Sequence, residues 1–112
     1  MRPEDLVRVR HMIEAADAAM RFVHGRQRSD LDTDLMLLFA LVRAVEIIGE
    51  AASRVSAETR AATPAVPWAA IVGARNRLVH AYFDIDRDIL WKTVTEELNG
   101  LQAVLRPLAP PN

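Results

Sequence analysis

The sequence predicts an all-α protein, and three observations support this class. Apolar residues recur at alternating spacings of three and four in several segments, as on one face of an amphipathic helix. No segment alternates apolar and polar residues with period two, and glycine accounts for only 4 of the 112 residues. The predicted architecture is a bundle of four main helices with one additional short helix, forming a single domain over residues 1–112.

The first half of the chain contains two main helices and the short one. An apolar stripe from residue 6 to residue 23 predicts the first helix. The second helix, over residues 33–55, is apolar around most of its circumference, and a second copy of the chain is one way to cover it. Ser56 is the predicted N-cap of the short helix, which ends near Ala62, before two prolines.

The second half contains the other two main helices. The third predicted helix starts at Trp68 and extends towards Tyr82. A turn is predicted at residues 84–86, where Asp86 is the N-cap of the last helix. That helix stops at Pro107, and residues 107–112 are predicted to be a frayed tail.

Composition excludes several classes of function. The chain has no cysteine, which excludes disulfides, thiolate metal sites and cysteine nucleophiles. The net charge of −1 counts against a dedicated nucleic-acid binder, although nearly all the basic residues are arginine, which suits phosphate. A GC-rich genome would also explain the arginines. No apolar run approaches the roughly 20 residues of a membrane span, so a soluble, cytoplasmic protein is expected.

Polar chemistry is concentrated between residues 75 and 82. Arg75, Asn76, Arg77, His80 and Tyr82 lie within this stretch of an otherwise apolar predicted helix. On a helix, Asn76 shares a face with His80, at a spacing of four, and Arg77 neighbours His80 at a spacing of three. Arg75 would lie about 140° from His80, so one straight helix cannot direct both at one atom. A kink, or two copies facing each other across a two-fold axis, would remove this conflict.

A second polar group lies on the long helix. Arg43, Glu46 and Glu50 are spaced by three and four, so they form one polar line on an apolar helix. We expect Glu46 or Glu50 to orient Arg75, the alternative being a structural Arg–Glu ladder. The three histidines are scattered, and none pairs with an acid at metal-ligand spacing, so no metal site is predicted.

The stretch from Arg75 to Tyr82 resembles a known motif. Arg75-x4-His80-x-Tyr82 is similar to the R-x4-6-H motif of HEPN domains, in the R-x4-H-x-Y form of HepT-like toxins. Residues 47–52 (IIGEAA) and 66–71 (VPWAAI) resemble the two blocks that flank this motif in the family. The resemblance covers nearly the whole chain, and it departs at Ala74, where a larger residue such as Met is expected.

The resemblance implies a HEPN-type helical homodimer, in which the motifs of both subunits meet in a cleft at the interface. It implies metal-independent RNA cleavage by Arg75, His80 and Asn76 within a toxin–antitoxin pair. The expected partner is a cognate minimal nucleotidyltransferase antitoxin, which uses ATP to adenylylate Tyr82. The chain itself is expected to need no cofactor, and neither DNA nor a membrane is an expected partner.

The expected chemistry assigns a role to each residue. His80 passes protons as base or acid, and Arg75 stabilises the extra charge on the phosphorane. Asn76 holds the imidazole or a phosphate oxygen, and Arg77 either supports the site or is a solvated residue near a helix C-terminus. Two alternatives remain: a non-catalytic HEPN module that binds a nucleotide or a nucleotidyltransferase, and a structural dimer without a site.

Overall fold

The computed structural model describes residues 1–81 and 84–110, and this part of the chain is almost entirely helical. The predicted all-α class is confirmed. In chain order the elements are α1 (Pro3–Val23), α2 (Asp30–Thr33), α3 (Leu35–Ser53), α4 (Ala57–Ala62), α5 (Trp68–Leu78), β1 (Val79–Ala81), β2 (Asp84–Ile85), α6 (Arg87–Lys92), a π-helical segment (Thr93–Glu97), α7 (Leu98–Leu105) and a 3₁₀ turn (Arg106–Leu108).

The core is built around α3, which packs against α1 on one side and α5 on another. Its buried residues include Leu38, Leu41 and Ile48, which confirms that its apolar surface is wider than one stripe. The first two turns nevertheless leave Met36 and Phe39 exposed. No helix in the described part of the chain is long and apolar enough to cross a membrane.

Side-chain caps begin three of the helices. The Oγ of Ser56 accepts a hydrogen bond from the backbone N–H of Thr59 at the start of α4, at 3.2 Å. A carboxylate oxygen of Asp86 accepts one from Ile89 at the start of α6, at 3.0 Å. Both predicted N-caps are therefore confirmed. The sequence could predict them because the capping side chain and the N–H that it accepts from are only three residues apart. Asp34 caps α3 in the same way, and the one-turn helix α2 before it was not predicted.

A short hairpin replaces the end of the third predicted helix. The extension towards Tyr82 is wrong, because α5 ends at Leu78 and the chain continues as β1. The turn predicted at residues 84–86 is also wrong at its start, since Asp84–Ile85 forms β2, antiparallel to β1. The backbone N–H of Asp86 donates to the carbonyl of Leu78 at 2.7 Å, and the Leu78 and Ile85 side chains are buried. These contacts hold the chain in a reversal that helix propensity alone would not produce.

The last predicted helix is present as α6, the π-helical segment and α7 in direct succession. The apolar stripe predicted for it is buried throughout, at Leu90, Val94, Leu98, Leu101 and Leu105. The frayed tail predicted from Pro107 is wrong for its first residues, which form the 3₁₀ turn, and Ala109 is buried. Asp17 on α1 holds this end, because it accepts hydrogen bonds from Gln102 and, at 2.6 Å, from Arg106.

Candidate active site

The close approach of α3 and α5 positions the first residue of the motif. A Cβ atom added to Gly49 would lie 3.2 Å from the carbonyl oxygen of Ile71, which is tighter than most Cβ contacts, so the absence of a side chain at position 49 favours this close approach. One turn away from this point, the Nε of Arg75 donates to Oε2 of Glu46 at 3.1 Å. The predicted contact between Arg75 and an α3 glutamate is therefore present, and Glu46 makes it.

The contact between Arg75 and Glu46 lies at the surface. The side chain of Arg75 is 48% exposed and that of Glu46 is 31% exposed. Because Glu46 engages only Nε, the N–H donors on the two Nη atoms make no hydrogen bond with the described residues. They remain available for the two parallel hydrogen bonds that an arginine makes to a phosphate. The arrangement fixes the side chain while it leaves its binding groups open.

The other acid of the predicted polar line has a different partner. Glu50 pairs with Arg54 at 3.4 Å, so it does not orient Arg75. Arg43 is exposed and forms no hydrogen bond or ion pair with the described residues. A continuous ladder of Arg43, Glu46 and Glu50 is therefore absent from the described part of the chain.

The structure places His80 in β1 and not on the helix. Val79 pairs with Ile85 and Ala81 with Asp84, so the register of the two strands shifts at His80, as it does at a β-bulge. The predicted helical spacings from Asn76 and Arg77 to His80 are therefore wrong, because α5 ends before residue 80. The angle of about 140° calculated for one straight helix no longer applies. Bulges redirect side chains and are frequent beside active sites, and His80 is exposed.

Two further motif residues lie in the last turn of α5. Asn76 and Arg77 are both exposed, and neither side chain forms a hydrogen bond or ion pair within residues 1–81 and 84–110. Arg77 lines a largely apolar groove of about 490 Å³ between α5 and α7, which Arg75 does not line. Tyr82, the predicted modification site, lies outside the described residues.

One signal in the sequence pointed to the hairpin and was missed. Residues 79–83 (VHAYF) combine β-branched and aromatic residues, which favour extended backbone over helix. Recognising this run would have ended α5 before His80. The described residues contain no group of three or more His, Asp or Glu side chains arranged for a metal ion. Metal-independent cleavage stays a prediction that needs its own experiment.

Similarity to known proteins identifies the family. The family described as ribonuclease HepT-like matches residues 12–108. A Methanocaldococcus jannaschii protein, named as a candidate RNase, is 38% identical over 87 residues, which cover 78% of this chain and 80% of the relative. A Thermococcus cleftensis protein named probable ribonuclease HepT is 35% identical over 95 residues, covering 85% and 86% of the two chains. The chain therefore belongs to the HepT-like ribonuclease family.

A third relative extends this similarity to another organism. A protein of Caldanaerobacter subterraneus subsp. tengcongensis, also named as a candidate RNase, is 33% identical over 98 residues. The alignment covers 88% of each chain. No solved structure matches this protein with significance.

Proposed function

We propose that this protein is a ribonuclease that cleaves RNA with Arg75 and His80 as its catalytic pair. The observation that carries the proposal is the contact between Glu46 and Arg75, which holds an exposed guanidinium with most of its donors free. Family membership supplies the class of reaction, since the relatives are named as ribonucleases. The contact supports a role for Arg75 in binding the phosphate during that reaction.

The proposed reaction uses the 2′-hydroxyl of the RNA as the nucleophile. Its oxygen bonds to the adjacent phosphorus while the bond from phosphorus to the 5′-oxygen breaks, which leaves a 2′,3′-cyclic phosphate and a 5′-hydroxyl. The 2′-hydroxyl loses a proton and the leaving 5′-oxygen gains one; His80 performs one of these two transfers, and water performs the other. Arg75 stabilises the negative charge that develops on the phosphorane oxygens. Asn76 is proposed to hold the imidazole or a phosphate oxygen.

We propose a homodimer as the active form, with the cleft on the exposed face of α3. The first two turns of this face expose Leu35, Met36 and Phe39 by 60%, 84% and 58%, respectively. The spacings of three and four continue from there to Arg43 and Glu46, so the apolar patch and the candidate site share one face. A second copy would cover a patch that is costly to expose to water.

We also propose that a cognate nucleotidyltransferase regulates the enzyme. In this proposal the protein is the cytoplasmic toxin of a toxin–antitoxin pair, and the partner adenylylates Tyr82 with ATP. The added phosphate and nucleoside would exclude RNA by charge repulsion and by volume. Co-expression with a nucleotidyltransferase gene, if one lies beside the gene of this protein, followed by mass analysis of the peptide that contains Tyr82, tests this. An unmodified peptide would refute the modification.

The central experiment compares wild-type protein with His80→Ala on total RNA in the presence of EDTA. Wild type should leave cyclic-phosphate ends, and the variant should cleave at least about a hundredfold more slowly. Circular dichroism should show matched folding, because His80 is exposed and its removal creates no cavity. Light scattering of both samples should give the mass of two chains. Cleavage that requires an added metal, or equal cleavage by both proteins, would contradict the proposed mechanism.

One observation favours a second candidate function. The net charge of −1 gives the molecule no long-range attraction for RNA, which suits a non-catalytic module that binds a nucleotide or a nucleotidyltransferase. Absence of cleavage by unmodified wild-type protein on any RNA, together with retained ATP or partner binding, would identify that function.

A further inference from the structure

A shallow depression across α1 and α3 concentrates positive charge beside the candidate site. Its volume is about 230 Å³. Arg8 and His11 of α1 line it, together with Arg43 of α3 and Arg54, the residue that follows α3. Glu50 is the one acid among the described residues that line it. Three arginines against one glutamate are a local reversal of the chain's overall charge of −1.

Two of these arginines form no ion pair in the described part of the chain. Arg54 is paired with Glu50 at 3.4 Å, so these two side chains largely offset each other. The side chains of Arg8 and Arg43 make no hydrogen bond or ion pair with the described residues. Arg26, by contrast, contacts the carboxylates of two aspartates, the nearer at 2.8 Å. The depression therefore brings two guanidinium groups without an ion pair close together, whereas Arg26 is bound within the chain.

The depression and the candidate site are consecutive on α3. Arg43 precedes Glu46 by three residues on the exposed face, a rise of about 4.5 Å along the helix axis. Glu46 in turn holds Arg75. A polynucleotide with one phosphate at Arg75 would therefore carry neighbouring phosphates past Arg43 towards α1.

We infer that Arg8, His11 and Arg43 form a phosphate-binding surface for the single-stranded RNA that flanks the cleaved bond. This inference rests on the proposed function and names the residues that would hold its substrate. Arginine forks bind phosphate oxygens in pairs, and such contacts position a strand without reading its sequence. A local cluster explains how a chain of net negative charge would hold a polyanion, because screening limits each charge to about 8–10 Å.

The test measures binding separately from cleavage. Wild-type protein is titrated into a labelled single-stranded 2′-O-methyl RNA, which lacks the nucleophilic hydroxyl, and fluorescence anisotropy is followed at several salt concentrations. The double variant Arg8→Ala/Arg43→Ala should bind at least roughly tenfold more weakly. The slope of log affinity against log salt should fall by about 1.4, since each phosphate contact on a single strand contributes about 0.7.

Arg21→Ala is the matched control. Arg21 is an exposed arginine of α1 with no ion pair in the described residues, and it lies about 220° around the helix from Arg8. Its removal should leave affinity and salt slope unchanged, while circular dichroism and urea unfolding verify that every variant folds. The inference is overturned if the double variant binds as wild type does, or if Arg21→Ala loses half as much affinity as the double variant or more.

The outcomes separate this inference from the proposed function. If wild type cleaves RNA but the double variant binds the 2′-O-methyl strand normally, the ribonuclease stands and the surface does not. If wild type cleaves nothing yet binds the strand through Arg8 and Arg43, the surface stands and the catalytic proposal does not. If wild type does not bind the strand at all, the surface is refuted as an RNA site, and an acidic protein face becomes the ligand to test.

Discussion

Two polar clusters of this molecule differ in how many of their hydrogen-bonding groups have a partner within the chain. Asp5 on α1 is only 3% exposed, and its carboxylate accepts hydrogen bonds from the Ser56 N–H at 3.0 Å and from the Ser56 and Thr59 hydroxyls at 2.6 Å each. Arg75 is 48% exposed and has one contact among the described residues, to Glu46. The first cluster is closed within the chain, whereas the second is open to a ligand.

The difference distinguishes structural from functional polar groups. Hydrogen bonds from Ser56 and then Thr59 lower the pKa of Asp5 to about 2, so the carboxylate is charged and fully engaged at neutral pH. It joins the start of α1 to the start of α4. No buried side-chain polar atom of the described residues lacks a partner. The side chains left with free donors include those of Arg75, Asn76 and Arg77, which are exposed and lie at the motif.

The largest expected effect is on activity, and it follows from Arg75→Ala. Loss of the guanidinium should slow RNA cleavage between about a hundredfold and a thousandfold, or roughly 3 to 4 kcal/mol of transition-state stabilisation. The free energy of unfolding should change by less than about 0.5 kcal/mol, since the residue is half exposed. Cleavage assays and urea unfolding measure the two quantities.

Arg2→Ala provides the control for Arg75→Ala. Arg2 forms an exposed ion pair with Glu58 at 3.2 Å, nearly the distance of the pair at the candidate site. Its removal should leave both cleavage and stability unchanged, because exposed ion pairs contribute little. Equal losses of activity in both variants would show that the effect is not specific to the motif.

Asp5→Ala should lower the stability of the protein and leave its cleavage activity unchanged. The substitution leaves the Ser56 N–H and the two hydroxyls without their acceptor, which should lower the free energy of unfolding by about 3 kcal/mol. Cleavage per folded molecule should be unchanged. Glu4→Ala removes an exposed acid one residue earlier and should be neutral in urea unfolding. A destabilisation by Asp5→Ala no larger than that of Glu4→Ala would contradict the structural role.

The lowered pKa of Asp5 predicts a pH dependence of stability. Because the folded pKa of about 2 lies below the usual value of 3.8, the contribution is complete above about pH 5 and is lost as the pH falls to about 2. The stability difference between wild type and Asp5→Ala should therefore shrink by about 2 kcal/mol over this range. Urea unfolding at several pH values measures it.

The difference in the free energy of unfolding between wild type and Asp5→Ala isolates the titration of Asp5 from that of other acids. The backbone N–H of Gln27 and the side chain of Arg26 lower the pKa of Asp30, and Arg26 also lowers that of Asp34. Both aspartates are present in wild type and variant, so their titration cancels in the difference. A difference that stays constant from about pH 5 to 2 would show that Asp5 titrates normally.

The smallest expected effect concerns the close contact between α3 and α5, which brings Arg75 to Glu46. Gly49→Ala places a Cβ atom 3.2 Å from a backbone carbonyl of α5, and we expect a loss of about 1 kcal/mol in the free energy of unfolding. Gly100→Ala adds the same atom where nothing lies within 4 Å, and helix propensity should then stabilise it by up to about 1 kcal/mol. Thermal or urea unfolding compares them, and equal stabilisation of both would show that α3 and α5 can separate freely.

The sequence by itself determined the parts of this protein that depend on short-range chemistry. Helical periodicity predicted the main helices, since one face of each must be buried whatever its neighbours are. Ser56 and Asp86 were predicted as N-caps because the capped N–H groups lie three residues away. The motif residues from Arg75 to Tyr82 identified the family, which the match over residues 12–108 confirms.

Tertiary structure alone decided where the third helix ends and which glutamate meets Arg75. Helix α5 stops at Leu78 because Ile85 is buried and the N–H of Asp86 bonds back to Leu78, contacts between residues that periodicity treats as separate elements. Glu46 and Glu50 lie on one face of α3 and are equivalent in the sequence pattern. The close crossing of α3 and α5 places Glu46, and not Glu50, beside Arg75. Helix geometry determines which residues share a face, but not which neighbouring element that face contacts.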